Sequence, residues 1–128
     1  MKTKLKTAII ILTDAKDATQ EALTRMLNAL AMADECRRAG DELAIAFVGS
    51  GTRWPAKLSE LGHPANAIYD RLRPHIVGAS RSCAVRNEAV EGLESAGIAL
   101  VGDNEVEGMA GVFSIRRYLA EGWNVVTF

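Results

Sequence analysis

The sequence has few of the residues that small stapled or metal-bound proteins depend on. Its 128 residues include two cysteines and two histidines, too few for a disulfide framework or a histidine-rich metal site. Both scarcities fit a protein of the reducing cytoplasm. The formal net charge is −1, so the chain lacks the basic field that nucleic-acid binding requires. We therefore expect a cytoplasmic protein with no bound metal, no cofactor and no nucleic-acid partner.

Long apolar runs are also missing. The opening stretch MKTKLKTAIIILTDAKD carries lysines like those of a signal peptide. However, its apolar run from Ala8 to Leu12 is too short for one, and Asp14 to Asp17 ends that run with charge. No other run approaches the roughly 18 apolar residues that span a bilayer. We expect no membrane contact, and the opening run is typical of a first β-strand.

What remains is the composition of one ordinary globular domain. Apolar residues make up 48% and charged residues 24% of the chain, and its length is near the commonest domain size. We predict a single domain over residues 1–128. Runs rich in β-branched residues predict five strands, at residues 7–13, 42–48, 75–79, 98–102 and 124–128.

Helical patterns lie between these strands. The clearest runs from Ala18 to Ala39, where one stripe at helical spacing contains Ala22, Leu23, Met26, Leu27, Leu30 and Ala33. A shorter pattern follows Cys83 and includes Val85, Ala89, Val90 and Leu93. Another includes Val106, Met109, Ala110, Phe113 and Leu119. Three prolines interrupt residues 53–74, where we predict one or two short helices.

Three of the predicted helices end alike. Gly40, Gly97 and Gly122 each follow a helical pattern and directly precede a strand, and glycine in this position closes a helix in the left-handed conformation. The first two strands are apolar without alternation, so both of their faces are covered. Strands that alternate with helices predict a parallel sheet. The fold class is therefore α/β: a single three-layer α/β/α domain with a mainly parallel five-stranded sheet.

Ligands of open parallel sheets bind outside the carboxyl ends of the strands. Four stretches follow strands here: TDA after the first, GSGTRW after the second, SRSC after the third and GDN after the fourth. They converge on one edge of the predicted sheet, and the rest of the surface has no comparable claim. We therefore place the candidate site at this edge.

Cys83 has the clearest chemistry of these residues. It begins a helical pattern, with Ser82 as a plausible N-cap, and the positive end of a helix favours thiolate over thiol. Arg81 and Arg86 add positive charge if they turn inward, and the thiolate is the nucleophilic form. We expect Cys83 to be partly exposed and to open a helix. The alternative is a structural cysteine packed under the sheet edge.

Cys36 differs from Cys83 in its place on a helix. It lies on the apolar stripe of the long first helix, near the C-terminal end, where the helix dipole disfavours a thiolate. We expect it to be buried and structural. A disulfide with Cys83 is not expected, because the two cysteines belong to opposite ends of βα units.

The glycine-rich turn after the second strand is another candidate. Such a turn can present N–H groups to an anion, but it lacks the lysine and spacing of a P-loop. A tight strand-to-helix turn is therefore favoured. Asp14 is either a helix cap, which is favoured, or a polar contact in the cleft. As a binding site, this edge would use Asp14, Gly49, Ser50, Gly51, Thr52 and Arg53.

The order of these features carries a family resemblance. The strand AIIILTDA, the alanine-rich first helix and the turn VGSGT are followed by the cysteine of ASRSCAV, then AGIALVGD and AEGWNVVTF. Over essentially all 128 residues the chain resembles the DsrE/DsrF-like sulfur-relay family, which includes the TusD-type sulfur carriers. The resemblance implies a parallel α/β fold and a persulfide on Cys83. It also implies sulfur donor and acceptor partners and a homo-oligomer, either a trimer or a hexamer.

Two functions therefore stand at this stage. In the first, the chain is a sulfur carrier or sulfurtransferase-like protein that holds a persulfide on Cys83, supported by Arg81, Arg86 and Ser82. Many relatives have a second cysteine or a glycine beside the carrier cysteine, whereas Ser80 and Ser82 flank it here, which argues against a dithiol mechanism. In the second, a non-catalytic module of the same fold binds a small anion or nucleotide, or serves assembly, and Cys83 is a passive wall residue.

Overall fold

Five strands form one sheet in the computed structural model, which describes residues 3–16 and 19–128. In chain order the strands are β1 Lys6–Ile11, β2 Glu42–Phe47, β3 Ile76–Ser80, β4 Leu100–Val101 and β5 Asn124–Thr127. Their spatial order is β4-β3-β2-β1-β5, and every neighbouring pair is parallel. The five strands overlap the five predicted runs, so the predicted α/β class with a parallel sheet is confirmed.

Six α-helices connect the strands within the described residues. They are α1 Gln20–Arg38, α2 Trp54–Leu58, α3 Asn66–Leu72, α4 Arg81–Arg86, α5 Val90–Ser95 and α6 Ile115–Ala120. Two short 3-10 helices cover Gly49–Arg53 and Arg73–His75. The Thr19 hydroxyl accepts the Ala22 N–H at 3.1 Å and caps α1, while Ala18, the predicted helix start, lies outside the described residues. None of the helices in the described ranges has the length and apolarity to cross a membrane.

Four helices end in the same hydrogen-bonded turn. In three of them the residue beyond the C-cap has a positive φ and is a predicted glycine: Gly40 (+77°), Gly97 (+74°) and Gly122 (+84°). The fourth is α4, where Glu88 takes this place with φ +54°. Its turn is closed by the Ala89 N–H, which donates to the Ala84 carbonyl at 2.8 Å. Glu88 is the one non-glycine residue with positive φ in the described part of the chain.

The sheet separates two apolar layers of unequal size. Helices α1 to α5 pack on one face, where the larger core includes Ile9, Ile45 and Phe47. Only α6 and the segment before it cover the other face. We call the buried residues there the second-face cluster: Ala8, Ile10, Ala44, Ala46, Val48, Phe113 and Tyr118. Successive strand residues alternate between the two layers, so an uninterrupted apolar strand fills both, as predicted.

Two of the predicted helical patterns were wrong in part. Residues 102–114 form a loop closed by paired hydrogen bonds between Asn104 and Val112 (2.8 Å), and only residues 115–120 are helical. Gly108 and Gly111 break the pattern, because both have positive φ and glycine is a poor helix former. The pattern after Cys83 is also interrupted, since α4 ends before α5 begins.

Candidate functional site

The carboxyl edge of the sheet brings the predicted stretches together. The Trp54 indole N–H donates to the Thr13 carbonyl at 2.7 Å, which ties the segment after β2 to the segment after β1. The Arg53 guanidinium pairs with Asp14 across the same gap, with Nη1 to Oδ1 at 2.9 Å. The loops after β1 and β2 therefore form one continuous surface at this edge.

Cys83 is the third residue of α4, in its first turn, and is half-buried. Its side chain packs against the second-face cluster. As expected, Cys83 is partly exposed and stands at the opening of a helix. One side of the thiol therefore faces apolar side chains, while the other remains open to reagents.

The N-cap of α4 is Ser80, so the interpretation of Ser82 as the cap was wrong. The strand runs into the helix two residues earlier than the sequence pattern indicated. The Ser80 hydroxyl is turned away from the helix and accepts the Phe113 N–H at 3.1 Å. The Ser82 N–H donates to the Gly111 carbonyl at 2.8 Å. Both serines thus hold the loop of residues 102–114 against the start of α4.

Neither arginine has a described contact with the Cys83 thiol. Arg81 donates from Nη2 to the Leu100 carbonyl at 3.3 Å, so its guanidinium is directed along β4. It borders an open cavity of about 630 Å³ whose other lining residues come from Gly102 and residues 105–111. Arg86 is exposed in the last turn of α4. Charge on exposed groups is screened by water and salt, so the arginines act on Cys83 only if their side chains reorient.

Cys36 is a different kind of thiol. It is 5% exposed in the core beneath α1, and burial raises the pKa of its thiol. Both cysteines are free. The predictions of a buried Cys36 and of no disulfide are therefore confirmed, and Cys83 is the more accessible of the two thiols.

The glycine-rich turn after β2 is a tight 3-10 helix, as favoured from the sequence. Gly51 packs directly on the end of β1, where a Cβ atom would overlap the Ile11 carbonyl. Its N–H donates to the Val48 carbonyl at 3.0 Å. The Thr52 hydroxyl donates to the Gly49 carbonyl at 2.8 Å. Both donors are satisfied within the turn, and Ser50 beside them is half-buried.

Asp14 does not cap α1, so the favoured interpretation of this residue was wrong and the polar contact in the cleft was correct. Thr19 caps the helix because it directly precedes the first helical residue. Asp14 accepts the Lys16 N–H at 2.9 Å and the Arg53 contact described above. These contacts, with Lys16 as the larger influence, lower the pKa of the Asp14 carboxyl.

Asn87 is a member of the site that the sequence pattern did not reveal. Its side-chain Nδ2 donates to the Cys83 carbonyl at 2.8 Å and to the Gly49 carbonyl at 3.2 Å. Its own carbonyl accepts the Arg53 Nε–H at 3.3 Å. Residues 83–93 were interpreted as one helical pattern, which concealed the helix end at this asparagine.

Metal chemistry finds no support in the described ranges, which contain no cluster of three or more metal-binding side chains. His63 has a structural contact instead, because its Nδ1 accepts the Ala65 N–H at 3.1 Å. No family model, no curated protein and no solved structure matches this chain.

Proposed function

We propose that this chain is a sulfur carrier that holds sulfane sulfur as a persulfide on Cys83. The observation that carries the proposal is the contrast between the two thiols. Cys83 is half-buried at the carboxyl edge of the sheet, in the first turn of α4, whereas Cys36 is enclosed in the core. Ligands of parallel sheets bind at this edge. The sequence resemblance places the carrier cysteine at the same position.

The proposed reaction is a thiol exchange that needs no cofactor. The Cys83 thiolate attacks the outer sulfur of a donor persulfide, a new S–S bond forms on Cys83, and the donor leaves as a thiolate. One neutral sulfur atom moves, so no external oxidant or reductant is consumed. An acceptor thiolate, on a partner protein or a small molecule, then attacks the outer sulfur of the Cys83 persulfide and regenerates the Cys83 thiolate.

The alternative, a module that binds a small anion or nucleotide at the glycine-rich turn, has less support. The Arg53 guanidinium already bonds the Asp14 carboxylate and the Asn87 carbonyl. The Gly51 N–H is used within the turn. An anion at this turn would have to displace these internal contacts, whereas a sulfur donor could reach Cys83 without breaking them.

We also propose that copies of the chain assemble as a trimer or hexamer in the cytoplasm. The resemblance motivates this assembly, and apolar side chains that remain exposed on one chain are consistent with it. Leu119 on α6 is 59% exposed and Val85 on α4 is 56% exposed. Val106 and Met109, in the loop after β4, are also exposed.

The direct test is intact mass spectrometry after incubation with inorganic polysulfide. We expect the wild type and Cys36→Ala to gain the mass of one sulfur atom, which a thiol reductant then removes. Cys83→Ser should gain nothing, because its hydroxyl cannot form a persulfide. Sulfur that appears equally on Cys83→Ser, or a wild type that stays unmodified, would contradict the proposal.

A further inference from the structure

The last turn of α4 is fastened to the loop after β2 by one side chain. The Asn87 amide group bridges two carbonyl oxygens from different elements, that of Cys83 in α4 and that of Gly49 beyond β2. The Asn87 backbone N–H also donates to the Cys83 carbonyl, at 2.9 Å. The carbonyl of the candidate carrier residue therefore receives two N–H donors from the same asparagine.

A second layer holds the asparagine itself. Arg53 donates from Nε to the Asn87 carbonyl and from Nη1 to the Asp14 carboxylate. Its side chain is 25% exposed, and that of Asp14 is 40% exposed. A guanidinium has several donors in a fixed planar arrangement, so one arginine makes both contacts at once. The segments that follow β1, β2 and β3 are thereby joined in a single hydrogen-bonded chain.

The end of α4 is also the one helix end where glycine is missing. Glu88 adopts the left-handed conformation that glycine has at the ends of α1, α5 and α6, and this conformation is unfavourable for a residue with a Cβ atom. Such strained backbone persists only where surrounding contacts impose it. The Asn87 amide, one residue earlier, supplies contacts that hold this turn closed.

We propose that Asn87 is a positioning residue for Cys83. By fixing the Cys83 carbonyl and fastening α4 to Gly49, it sets how far the thiol stands between solvent and the second-face cluster. Arg53 supports this arrangement through the Asn87 carbonyl. The inference rests on the proposed function of Cys83, and it names a residue whose side chain acts on the backbone of Cys83.

The test measures the rate of iodoacetamide alkylation of each cysteine in Asn87→Ala. We expect Cys83 to react about fivefold faster, because a hydrogen bond contributes roughly 1 kcal/mol and tenfold corresponds to about 1.4 kcal/mol. The factor should be the same at every pH, since access to the thiol changes and its titration does not. Cys36 should stay unreactive, which shows that the domain remains folded.

Asn66→Ala is the matched control. The Asn66 side chain is half-buried and its Nδ2 donates to the Leu58 carbonyl at 2.9 Å, so this variant also loses one amide contact, but far from α4 in the chain. Its Cys83 rate should equal that of the wild type. If Asn87→Ala reacts at the wild-type rate, or if both variants accelerate equally, Asn87 does not position Cys83.

Arg53→Lys is the second variant, informative even if Asn87→Ala fails to fold. Lysine keeps the charge but lacks the paired Nε and Nη donors, so we expect a roughly twofold increase in the Cys83 rate for the loss of a weak contact. No change there would also count against the proposal. Because alkylation needs no sulfur donor, a wild type that forms no persulfide would end the sulfur-carrier function and leave this measurement valid.

Discussion

Replacement of Glu88 by glycine should stabilise the protein. With φ +54°, Glu88 is the only non-glycine residue of the described chain in the left-handed region, a conformation that costs a residue with a Cβ atom roughly 1–2 kcal/mol. Glycine removes this cost but loses roughly 0.5–1 kcal/mol more conformational entropy on folding. The net gain is about 0.5–1 kcal/mol in the free energy of unfolding, or about 2–5 °C in Tm for a chain of this length.

Urea unfolding followed by circular dichroism measures this difference, and two variants serve as controls. Glu88→Ala removes the same side chain but keeps the strained backbone, so its stability should match the wild type. Gly122→Ala is the reciprocal change, because Gly122 has φ +84° and open space around an added Cβ atom. It should lose about 1 kcal/mol. If Glu88→Gly were no more stable than Glu88→Ala, the left-handed turn would not be a source of strain.

Two further expectations concern assembly and alkaline pH. Light scattering of dilute protein should give three or six times the 13.8 kDa mass of one chain, and a species of single-chain mass would contradict the proposed assembly. Burial raises the pKa of Cys36, so its contribution to stability is complete below the unfolded value of about 8.5 and is lost as the pH rises through the folded value. Urea titrations at pH 8 and 10 should show a smaller loss for Cys36→Ala than for the wild type, and equal losses would refute this account.

Most of the fold could be predicted because its signals are local. Runs of β-branched residues marked the strands, and glycine after a helical pattern marked three helix ends, where a positive φ makes glycine favourable. The loop of residues 102–114 escaped prediction because its apolar residues fall at helical spacing by coincidence. Phe113 is buried, whereas Met109 is exposed. Periodicity alone cannot distinguish these two cases, since burial depends on the path of the chain around Gly108 and Gly111.

The candidate site was predictable as a location but not as a set of contacts. Parallel topology alone placed Asp14, Arg53 and Cys83 near the same edge. The partner of each side chain depends on its rotamer and on distant segments. Arg81 illustrates this, because its closest described acceptor is the Leu100 carbonyl on the neighbouring strand. Asn87 was missed for the same reason, since both of its acceptors lie outside its immediate sequence environment.

The strand order has a consequence for how the chain folds. β1 pairs with β2 on one side and with β5 on the other, where Thr7 meets Asn124. The second pairing joins distant parts of the chain, and such non-local contacts form slowly because the loop-closure entropy is lost before they form. During synthesis the first four strands precede β5, so β1 waits as an open edge with Ala8 and Ile10 uncovered. Unpaired strand edges promote aggregation, and the arrival of β5 seals this one.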